Sequence, residues 1–410
     1  MPAPAPSAAP PAKRHPPRIP RPQPVPRATT DLVTRLEQGD IAEEAFWEEA
    51  ARAGTPLVEP TGAGDAIVTF LWRGTEATRA VRVTPNKLAD PRDPDANLMT
   101  HVPGTHTWHW SIRMRRDWRA TYTLAVDEGD GSQHRPDPYN TRTLAPRWAG
   151  PPVPYVELPD APRATDWQRH PDTPRGTVTE HTVASARLGN ERRVWLYEPP
   201  GAPAPAGPLP LLVLFDGEMW QPGLDLAALL DNLIAAGRIP PLAALLPESL
   251  GADTRYDELA CSERFLGFLT DELLPWAAAE ARLPLTTDPS RTVIAGQSLG
   301  GLAAAYAAYA APHRFGAVLA QSGSFWWPNG PGAEWLTARL AEAPRLPVRF
   351  RLSAGEQEWV ALPACRRLRD TLAAKGYDDV EYREFNGGHD YLCWRTELTD
   401  GLCALLGDPA

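Results

Sequence analysis

The sequence lacks the features that would place it in a membrane or in an oxidising compartment. No apolar run approaches the roughly 18 residues that predict a membrane span. The proline- and arginine-rich N-terminus has no apolar core of the kind that a secretory signal needs. Only 4 of the 410 residues are cysteine, and they are scattered without metal-ligand spacing. We therefore expect a soluble cytoplasmic protein whose cysteines are reduced and mostly buried.

Positive charge is also in short supply. The chain has 41 lysines and arginines against 51 acidic residues, which gives a formal net charge of −10. Because phosphate groups are bound by Lys and Arg, this balance argues against a nucleic-acid or anionic-membrane partner that binds through whole-protein charge. A basic pocket remains compatible with it. Nothing in the sequence indicates an obligate protein partner, a metal site or an organic cofactor.

Proline, by contrast, is abundant, with 47 residues, many of which are crowded into two stretches. Residues 1–30 are predicted to form a disordered Pro/Arg-rich tail, and residues 136–175 a Pro-rich extended linker. Between them, residues 31–135 show short helical patterns and then alternating runs of β-branched and aromatic residues. This part is predicted to form N-terminal helices plus a small, all-β, immunoglobulin-like sandwich.

The pattern changes in residues 176–410. Short, nearly continuous apolar strands such as "PLPLLVLFDG" and "FGAVLAQSGS" alternate with helical patterns. Such alternation predicts an α/β fold whose mostly parallel central sheet is covered on both faces. We therefore expect an α/β-hydrolase domain preceded by the smaller all-β sandwich.

The stretch "TVIAGQSLGGLAAAYAAYA" joins a predicted strand to a predicted helix through Gly-x-Ser-x-Gly at residues 296–300. In this context the pattern predicts a nucleophile elbow, a tight turn that exposes the oxygen of Ser298 at the top of the sheet. The backbone N–H of Leu299 would then face the developing oxyanion. A second N–H is expected from the turn after "LLVLF", at Gly217 or Glu218.

A serine hydroxyl needs a base, and a base needs an orienting acid. His389 follows the last predicted strand, behind two glycines in "FNGGHDYLCW". The acid is expected after the penultimate strand, where "RFRLSAGEQEWV" offers Glu356 and Glu358, of which Glu358 is preferred. Asp390, adjacent to the histidine, is expected to point elsewhere.

Further motifs occur in one order along the chain and carry a specific resemblance. From about Phe46 to the C-terminus the chain resembles the enterochelin (enterobactin) esterases, cytoplasmic enzymes that open ferric trilactone siderophores. The resemblance implies Ser298 as nucleophile and His389 as base, and it supports Glu358 because "LSAGEQEWV" matches a segment whose second carboxylate falls there. The chain departs from the family at "NTRT" and in its proline-rich tail. The motifs are "VTFLWRG", "PGTHTWHWSIRMRRDWRATYTL", "DPYN", "YVELPDAP", "LLVLFDGEMW", "RYDEL", "FLTDELLPW", "AGQSLGGLAA", "QSGSFWW" and "GGHDYLCWR".

A ferric tris-catecholate carries three negative charges and three flat rings, so the resemblance implies arginine and aromatic contacts. Arg255 is the expected contact from the second domain. Arg113, Arg115 and Arg116 are considered as a closure of the pocket from above, with a solvated face as the alternative. The tryptophans expected near the pocket, with core packing as their alternative role, are Trp220, Trp326, Trp327, Trp359 and Trp394.

The sequence therefore predicts a serine esterase that hydrolyses the ester (trilactone) bonds of ferric catecholate siderophores such as enterobactin. Iron arrives with the substrate, and no metal or organic cofactor is implied. Three alternatives stay open at this point. The first is an esterase or acyltransferase for another ester, such as a carbohydrate ester. The second is a catalytically silent siderophore-binding protein, and the third is a scaffold that acts through its proline-rich tail.

Overall fold

The computed structural model describes residues 14–62, 64–90, 92–147, 150–201, 207–282 and 284–407. In these parts of the chain the strands form two antiparallel sheets in a first domain and one larger sheet in a second domain. No helix of the described residues combines the length and the apolar character that crossing a bilayer requires.

The first domain begins with helices α1 (Asp31–Gln38) and α2 (Glu43–Ala53). Nine strands follow in the part that the structure describes: β1 (Leu57–Pro60), β2 (Asp65–Arg73), β3 (Ala80–Pro85), β4 (Thr100–His101), β5 (Thr107–Arg115), β6 (Arg119–Asp127), β7 (Ser132–Arg135), β8 (Thr143–Leu144) and β9 (Val153–Glu157). One sheet has the order β1-β2-β5-β4, and the other has the order β3-β6-β9-β8 with β7 paired to β6.

The two sheets of the first domain share one hydrophobic core. Buried and partly buried positions alternate along β3 and β6, as they do in strands that show one face to a core. Phe70 of β2 and Tyr122 of β6 meet there with ring centroids 4.8 Å apart, and Trp110 of β5 lies beside them. The inner faces of the sheets are thereby buried against each other.

The predicted linker differs from the structure in its first half. Strands β8 and β9 lie within residues 136–175, and β9 pairs with β6 through Tyr155 and Val156, so the second sheet extends to Glu157. The proline density of this stretch argued against strands. A strand tolerates proline where no neighbour requires its missing N–H, and Pro154 faces only the short β8.

The predicted tail also differs from the structure, which places residues 14–30 against both domains. Residues 1–13 of that prediction lie outside the described residues. The backbone oxygen of Pro26 accepts a hydrogen bond from the N–H of Arg113 at 2.9 Å. The backbone oxygen of Ile19 accepts one from Trp359 Nε1 at 3.1 Å. Extended proline-rich chain leaves its carbonyls free of internal hydrogen bonds, so backbone and side-chain donors of the folded domains can bind them.

The second domain contains an eight-stranded sheet in the order β10-β11-β13-β12-β14-β15-β16-β17. Strands β10 and β11 run antiparallel, and the pairings from β13 to β17 are parallel. The strands are β10 (Thr177–Ser185), β11 (Asn190–Glu198), β12 (Leu211–Leu214), β13 (Ala243–Pro247), β14 (Thr292–Gln297), β15 (Ala317–Gln321), β16 (Arg349–Gly355) and β17 (Val380–Phe385). The helices are α3 (Leu226–Ala235), α4 (Ala252–Leu259), α5 (Glu263–Gly267), α6 (Leu274–Glu280), α7 (Leu299–Ala310), α8 (Trp335–Glu342), α9 (Ala361–Ala374) and α10 (Tyr391–Leu406).

The central strands of this sheet are buried on both faces. Every residue of β12, β13, β14 and β15 is buried. Alternate residues of these strands pack into two separate hydrophobic cores, one on each face of the sheet. Val213 and Ile294 belong to one core, and Leu212 and Val293 belong to the other. The carboxyl ends of the parallel strands meet at one edge of the sheet, where ligand sites of open α/β folds lie.

Candidate active site

Ser298 occupies a strained turn between β14 and α7. Its φ of 60° and ψ of −122° are rare for a residue with a side chain. The turn is held by hydrogen bonds from Ser298 N–H to the oxygen of Gln321 and from Ser324 N–H to the oxygen of Ser298, both 2.9 Å. A Cβ on Gly296 would lie 2.6 Å from the carbonyl carbon of Gly300, so only glycine fits there. The turn has the geometry that the Gly-x-Ser-x-Gly pattern predicts.

His389 and Glu358 meet at the same edge of the sheet. His389 lies between β17 and α10, and its Nδ1 is 2.5 Å from Glu358 Oε2. Glu358 follows β16 and is 1% exposed. Its Oε1 accepts hydrogen bonds from Ser322 Oγ at 2.5 Å and from Gly355 N–H at 2.9 Å. Burial alone would raise the pKa of the Glu358 carboxyl, but His389 and these donors together hold that pKa below its usual value.

The other two carboxylates near the histidine are engaged elsewhere. Glu356 accepts two hydrogen bonds of 3.0 Å from Arg115 of the first domain. Asp390 caps α10, with Oδ1 3.2 Å from the N–H of Cys393. Of the candidate acids, the structure thus brings Glu358 to the imidazole.

The hydroxyl of Ser298 and the imidazole of His389 are not hydrogen-bonded to each other in the described structure. Ser298 Oγ instead lies 3.5 Å from Ser324 Oγ, which is long for a hydroxyl hydrogen bond. The side chain of His389 is 24% exposed and lines a cavity. Contacts of this kind often tighten only in the substrate complex.

The turn after β12 contains the predicted second oxyanion donor. A Cβ on Gly217 would lie 2.3 Å from the backbone oxygen of Leu246, so the turn can approach its neighbour this closely only with glycine. Leu299 is the first residue of α7, where backbone N–H groups have no intrahelical acceptor. The carboxylate of Glu218, the alternative to Gly217, accepts a 3.0 Å hydrogen bond from the N–H of Ser249.

Arg255, predicted as a substrate contact, is instead committed to a buried ion pair. Its Nε and Nη2 donate to Asp216 Oδ1 and Oδ2 at 2.6 and 2.8 Å, and the residue is only 7% exposed. Asp216 also lies 2.6 Å from Arg147 Nη2 and accepts a 2.6 Å hydrogen bond from Gln297 Nε2. Burial would raise the pKa of Asp216, but the two arginines outweigh burial and hold it well below its usual value. Arg255 of the motif "RYDEL" is therefore part of a buried ion pair next to the Ser298 turn and is not a substrate contact.

Three of the predicted aromatic contacts are core residues. Trp220, Trp326 and Trp327 are 0%, 8% and 3% exposed. Trp220 Nε1 donates to Gln297 Oε1 at 3.3 Å, and Trp327 Nε1 donates to the hydroxyl of Tyr256 at 2.6 Å. Residues at strand ends alternate between solvent and core, and here these large side chains fill the two cores of the second domain. Their placement corrects the expectation that they line the pocket.

The two remaining tryptophans have different roles. Trp394 is 2% exposed, lies edge-on to His389 with ring centroids 4.7 Å apart, and donates from Nε1 to Ser322 Oγ at 2.9 Å. It therefore continues the hydrogen-bonded chain that orients Glu358. Trp359 is half-buried and lines the cavity that contains His389.

That cavity has a volume of 760 Å³ and lies between the domains. It is lined by the extended segment before α1, by parts of β3, β6 and the turn after β3, and by Trp359, Val360 and His389. Of the predicted catalytic residues, His389 lines it and Ser298 does not. Three cationic side chains line it against one carboxylate, Asp90; they are Arg18, Lys87 and Arg92. A larger cavity of 1220 Å³ borders the N-terminal helices and contains none of the predicted catalytic residues, so its size alone does not make it the site. The described residues contain no group of three or more His, Cys, Asp or Glu side chains placed to hold a metal ion.

The three arginines at and just after the end of β5 do not line this cavity. Arg115 pairs with Glu356, Arg116 lies 3.1 Å from Asp160, and the backbone of Arg113 binds the N-terminal segment. Arg18 and Lys87 take the cationic positions instead. Their part of the sequence carries no periodic or motif signal, and only the folded chain brings them beside His389.

Two family models match the chain. Residues 185–405 match a model described as putative esterase, and residues 67–167 match one described as enterochelin esterase, N-terminal. The fold and these matches define the class of the protein, a carboxylic ester hydrolase with an α/β catalytic domain.

Similarity to individual proteins extends over both domains. The chain is 36% identical to the iron(III) enterobactin esterase of Dickeya dadantii (strain 3937) over 92% of this chain and 95% of that protein. It is 31% identical to the iron(III) salmochelin esterase of Escherichia coli O6:H1 over 93% of this chain and 98% of that protein. The ferric enterobactin esterase of Salmonella typhimurium superposes with a TM-score of 0.78 at 32% identity, covering 88% and 98% of the two chains. This chain belongs to the enterochelin (enterobactin) esterase family.

Proposed function

We propose that this protein hydrolyses the ester bonds of ferric catecholate siderophores such as enterobactin, and so serves iron acquisition. The observation that carries the proposal is the similarity to iron(III) enterobactin and salmochelin esterases through both domains. A Shigella flexneri enterobactin esterase whose structure was determined in the presence of enterobactin has a TM-score of 0.76 to this chain at 30% identity and covers 89% of it. No specific observation favours a carbohydrate ester over this substrate.

In the first half of the reaction Ser298 acts as nucleophile. His389 Nε2 takes the proton of the Ser298 hydroxyl while Oγ attacks the ester carbonyl carbon. The bond to the alcohol oxygen of the ester then breaks, and His389 returns its proton to that oxygen. The alcohol leaves, and an acyl-enzyme ester on Ser298 remains.

In the second half of the reaction, water hydrolyses the acyl-enzyme. His389 takes a proton from water, the hydroxide attacks the acyl carbon, and the proton returns to Ser298 Oγ as the carboxylic acid leaves. Glu358, bonded to Nδ1 at 2.5 Å, holds the imidazole and stabilises the imidazolium of each half-reaction. The N–H groups of Leu299 and Gly217 are proposed to bind the oxyanion of both tetrahedral intermediates.

The cavity beside His389 is the proposed substrate site. A trianionic ferric tris-catecholate suits an opening that carries Arg18, Lys87 and Arg92, even though the whole chain is acidic. Trp359 offers a ring to stack with a catechol, and Arg21 lies over the same tryptophan at 5.3 Å.

The remaining features of the proposal concern architecture and location. We propose an immunoglobulin-like arrangement for the two facing sheets of the first domain, and a mostly parallel α/β-hydrolase sheet for the second. A cytoplasmic location is proposed from the family resemblance and is supported by four cysteines in the free thiol form. The proposal includes no partner other than the siderophore.

Mass spectrometry of products tests this function. Purified protein is incubated with ferric enterobactin, its linear trimer, a ferric hydroxamate and a feruloylated sugar. We expect hydrolysis of the catecholate esters only, and a loss of several orders of magnitude in rate for Ser298→Ala. Cleavage of the sugar ester alone, or unchanged activity of the variant, would contradict the proposal. Labelling of Ser298 by a fluorophosphonate separates an esterase from a silent binding protein.

A further inference from the structure

The loop that carries His389 lies directly against the first domain. Gly388 precedes the histidine, and a Cβ there would lie 2.6 Å from Asn86 Oδ1 and 2.7 Å from the backbone oxygen of Asn86. Because one of these atoms is backbone, no rotation of a side chain would relieve both contacts. This glycine therefore permits a close approach between the two domains at the candidate base.

Asn86 binds both backbone polar groups of His389. Its Oδ1 accepts a hydrogen bond from the N–H of His389 at 2.8 Å, and its Nδ2 donates to the oxygen of His389 at 3.1 Å. The N–H of Asn86 itself donates to the oxygen of Thr121 in β6 at 2.9 Å. A residue anchored in the first domain thus holds the histidine backbone at two points.

The residues around His389 are held by the first domain as well. Asp390 Oδ2 accepts hydrogen bonds from the N–H and the hydroxyl of Thr121 at 2.9 and 3.0 Å. Asn386 Nδ2 donates to Asp117 Oδ1 at 2.6 Å. The second domain, in contrast, contacts the ring of His389 through Glu358 and Trp394. One domain fixes the ring, and the other fixes the backbone that carries it.

We propose that Asn86 is a positioning residue for His389, so that the first domain completes the catalytic site. The inference rests on the proposed Ser298 and His389 chemistry. Glu358 sets the orientation of the imidazole, but the distance from Nε2 to Ser298 also depends on where the backbone of residue 389 lies. A misplacement of about 1 Å can cost roughly a hundredfold in rate, so a two-point contact to this backbone controls turnover.

The test compares Asn86→Ala with Arg115→Gln in the full chain. Arg115 also joins the domains, through Glu356, but it does not touch the histidine loop. With an uncharged p-nitrophenyl ester and a fluorophosphonate, we expect Asn86→Ala to lower kcat and the labelling rate of Ser298 by about tenfold to a hundredfold. KM should stay within about twofold. Arg115→Gln should keep both rates.

A second variant, Asn86→Asp, keeps the shape and the acceptor for His389 N–H but replaces the donor by a carboxylate. A nearby carboxylate favours imidazolium, so the acid limb of the kcat/KM profile should move to higher pH. This shift reports only that residue 86 stays beside the histidine; the loss in kcat at nearly constant KM is what separates positioning from a merely structural contact. Thermal unfolding shows whether Asn86→Ala is folded in the assay; if it is not, the near-isosteric Asp variant decides.

The outcomes separate the inference from the proposed function. Wild-type rates in Asn86→Ala, equal losses in Asn86→Ala and Arg115→Gln, or an unmoved acid limb in Asn86→Asp would overturn the role of Asn86. Failure of the wild-type protein to be labelled at Ser298 would instead overturn the proposed chemistry.

Discussion

Ser298 is hydrogen-bonded through its backbone to Gln321 and Ser324 of its own domain, and its turn is packed by glycines two residues to either side. His389 is bound by Glu358 of its own domain and by Asn86 of the other. The position of the proposed nucleophile therefore depends on one folded domain, whereas the position of the proposed base depends on how two domains meet. Of the two proposed catalytic residues, we expect only the histidine to be sensitive to domain packing.

The surroundings of the two residues differ in the same way. Beneath the serine turn lies a buried carboxylate, Asp216, which is bound by Arg255, Arg147 and Gln297. Around the histidine loop lie partly buried contacts, such as those of Asn86 with the backbone of His389. We expect changes beneath the serine to act mainly on stability and changes around the histidine to act mainly on rate.

The largest effect is expected from Glu358→Gln, which removes the carboxylate that His389 contacts in its own domain. An amide in place of the carboxylate no longer stabilises the imidazolium, and we expect kcat to fall by about 10³- to 10⁴-fold. Glu356→Gln is the matched control, because this carboxylate pairs with Arg115 at the surface. Steady-state rates with a catecholate ester decide the point, and equal losses in the two variants would show that the acid is misassigned.

The next largest effect is expected from Asp216→Asn, which removes the buried carboxylate near the Ser298 turn. The change leaves the buried guanidinium of Arg255 without its counter-charge, and we expect a loss of about 3–5 kcal/mol in the free energy of unfolding. Asp117→Asn is the control near the histidine, where a half-exposed carboxylate should contribute about 1 kcal/mol or less. Urea denaturation monitored by tryptophan fluorescence measures both; similar losses would remove the contrast between the two sides.

The stabilisation by Asp216 should also depend on pH. The pKa of Asp216 is lowered in the folded chain, so the folded state releases its proton more readily than the unfolded state does. Its contribution is then complete above the unfolded value of about 4 and is lost as the pH falls through the folded value. The difference in unfolding free energy between wild type and Asp216→Asn should be constant near pH 7 and shrink below about pH 4. A difference that grows in acid would contradict the lowered pKa.

The smallest effect is expected at the cavity between the domains. Removing the charges of Arg18 and Lys87 by substitution to Gln should raise KM for a ferric tris-catecholate by roughly fivefold per charge at low salt, about 1 kcal/mol each. The effect should fade as salt is added, because these side chains are exposed. KM for a neutral ester should not change. Equal shifts for charged and neutral esters would show that the two residues shape the cavity rather than attract charge.

Several parts of the site could be predicted because their physical cause is local. Gly296 and Gly300 flank a turn in which a Cβ would collide, and apolar strand residues before it and alanines after it specify a strand followed by a helix. Gly217 follows a buried strand for a similar steric reason. Chain order then indicated which histidine was the candidate base for the serine and which pair of glutamates contained the candidate acid.

Other parts could not be predicted, because burial and pairing are set by residues distant in sequence. The tryptophans of the second domain have the same composition signal whether they line a pocket or fill a core. The sequence around Arg255 suggests a contact for an anion, but Asp216, 39 residues away, accepts hydrogen bonds from both Nε and Nη2 of its guanidinium. The prolines of β9 concealed a strand of the first domain, and those of residues 14–30 concealed a segment that contacts both domains.

By itself, then, the amino-acid sequence determined most of the strands and helices, the serine turn and the class of chemistry, since these follow from periodicity and from steric limits within a few residues. The tertiary structure decided which carboxylate serves the histidine, which cations reach the cavity and how the histidine loop is held. Asn86 and His389 are 303 positions apart and carry no shared pattern. Only the packing of one domain on the other brings the amide of Asn86 within hydrogen-bond distance of the backbone of His389.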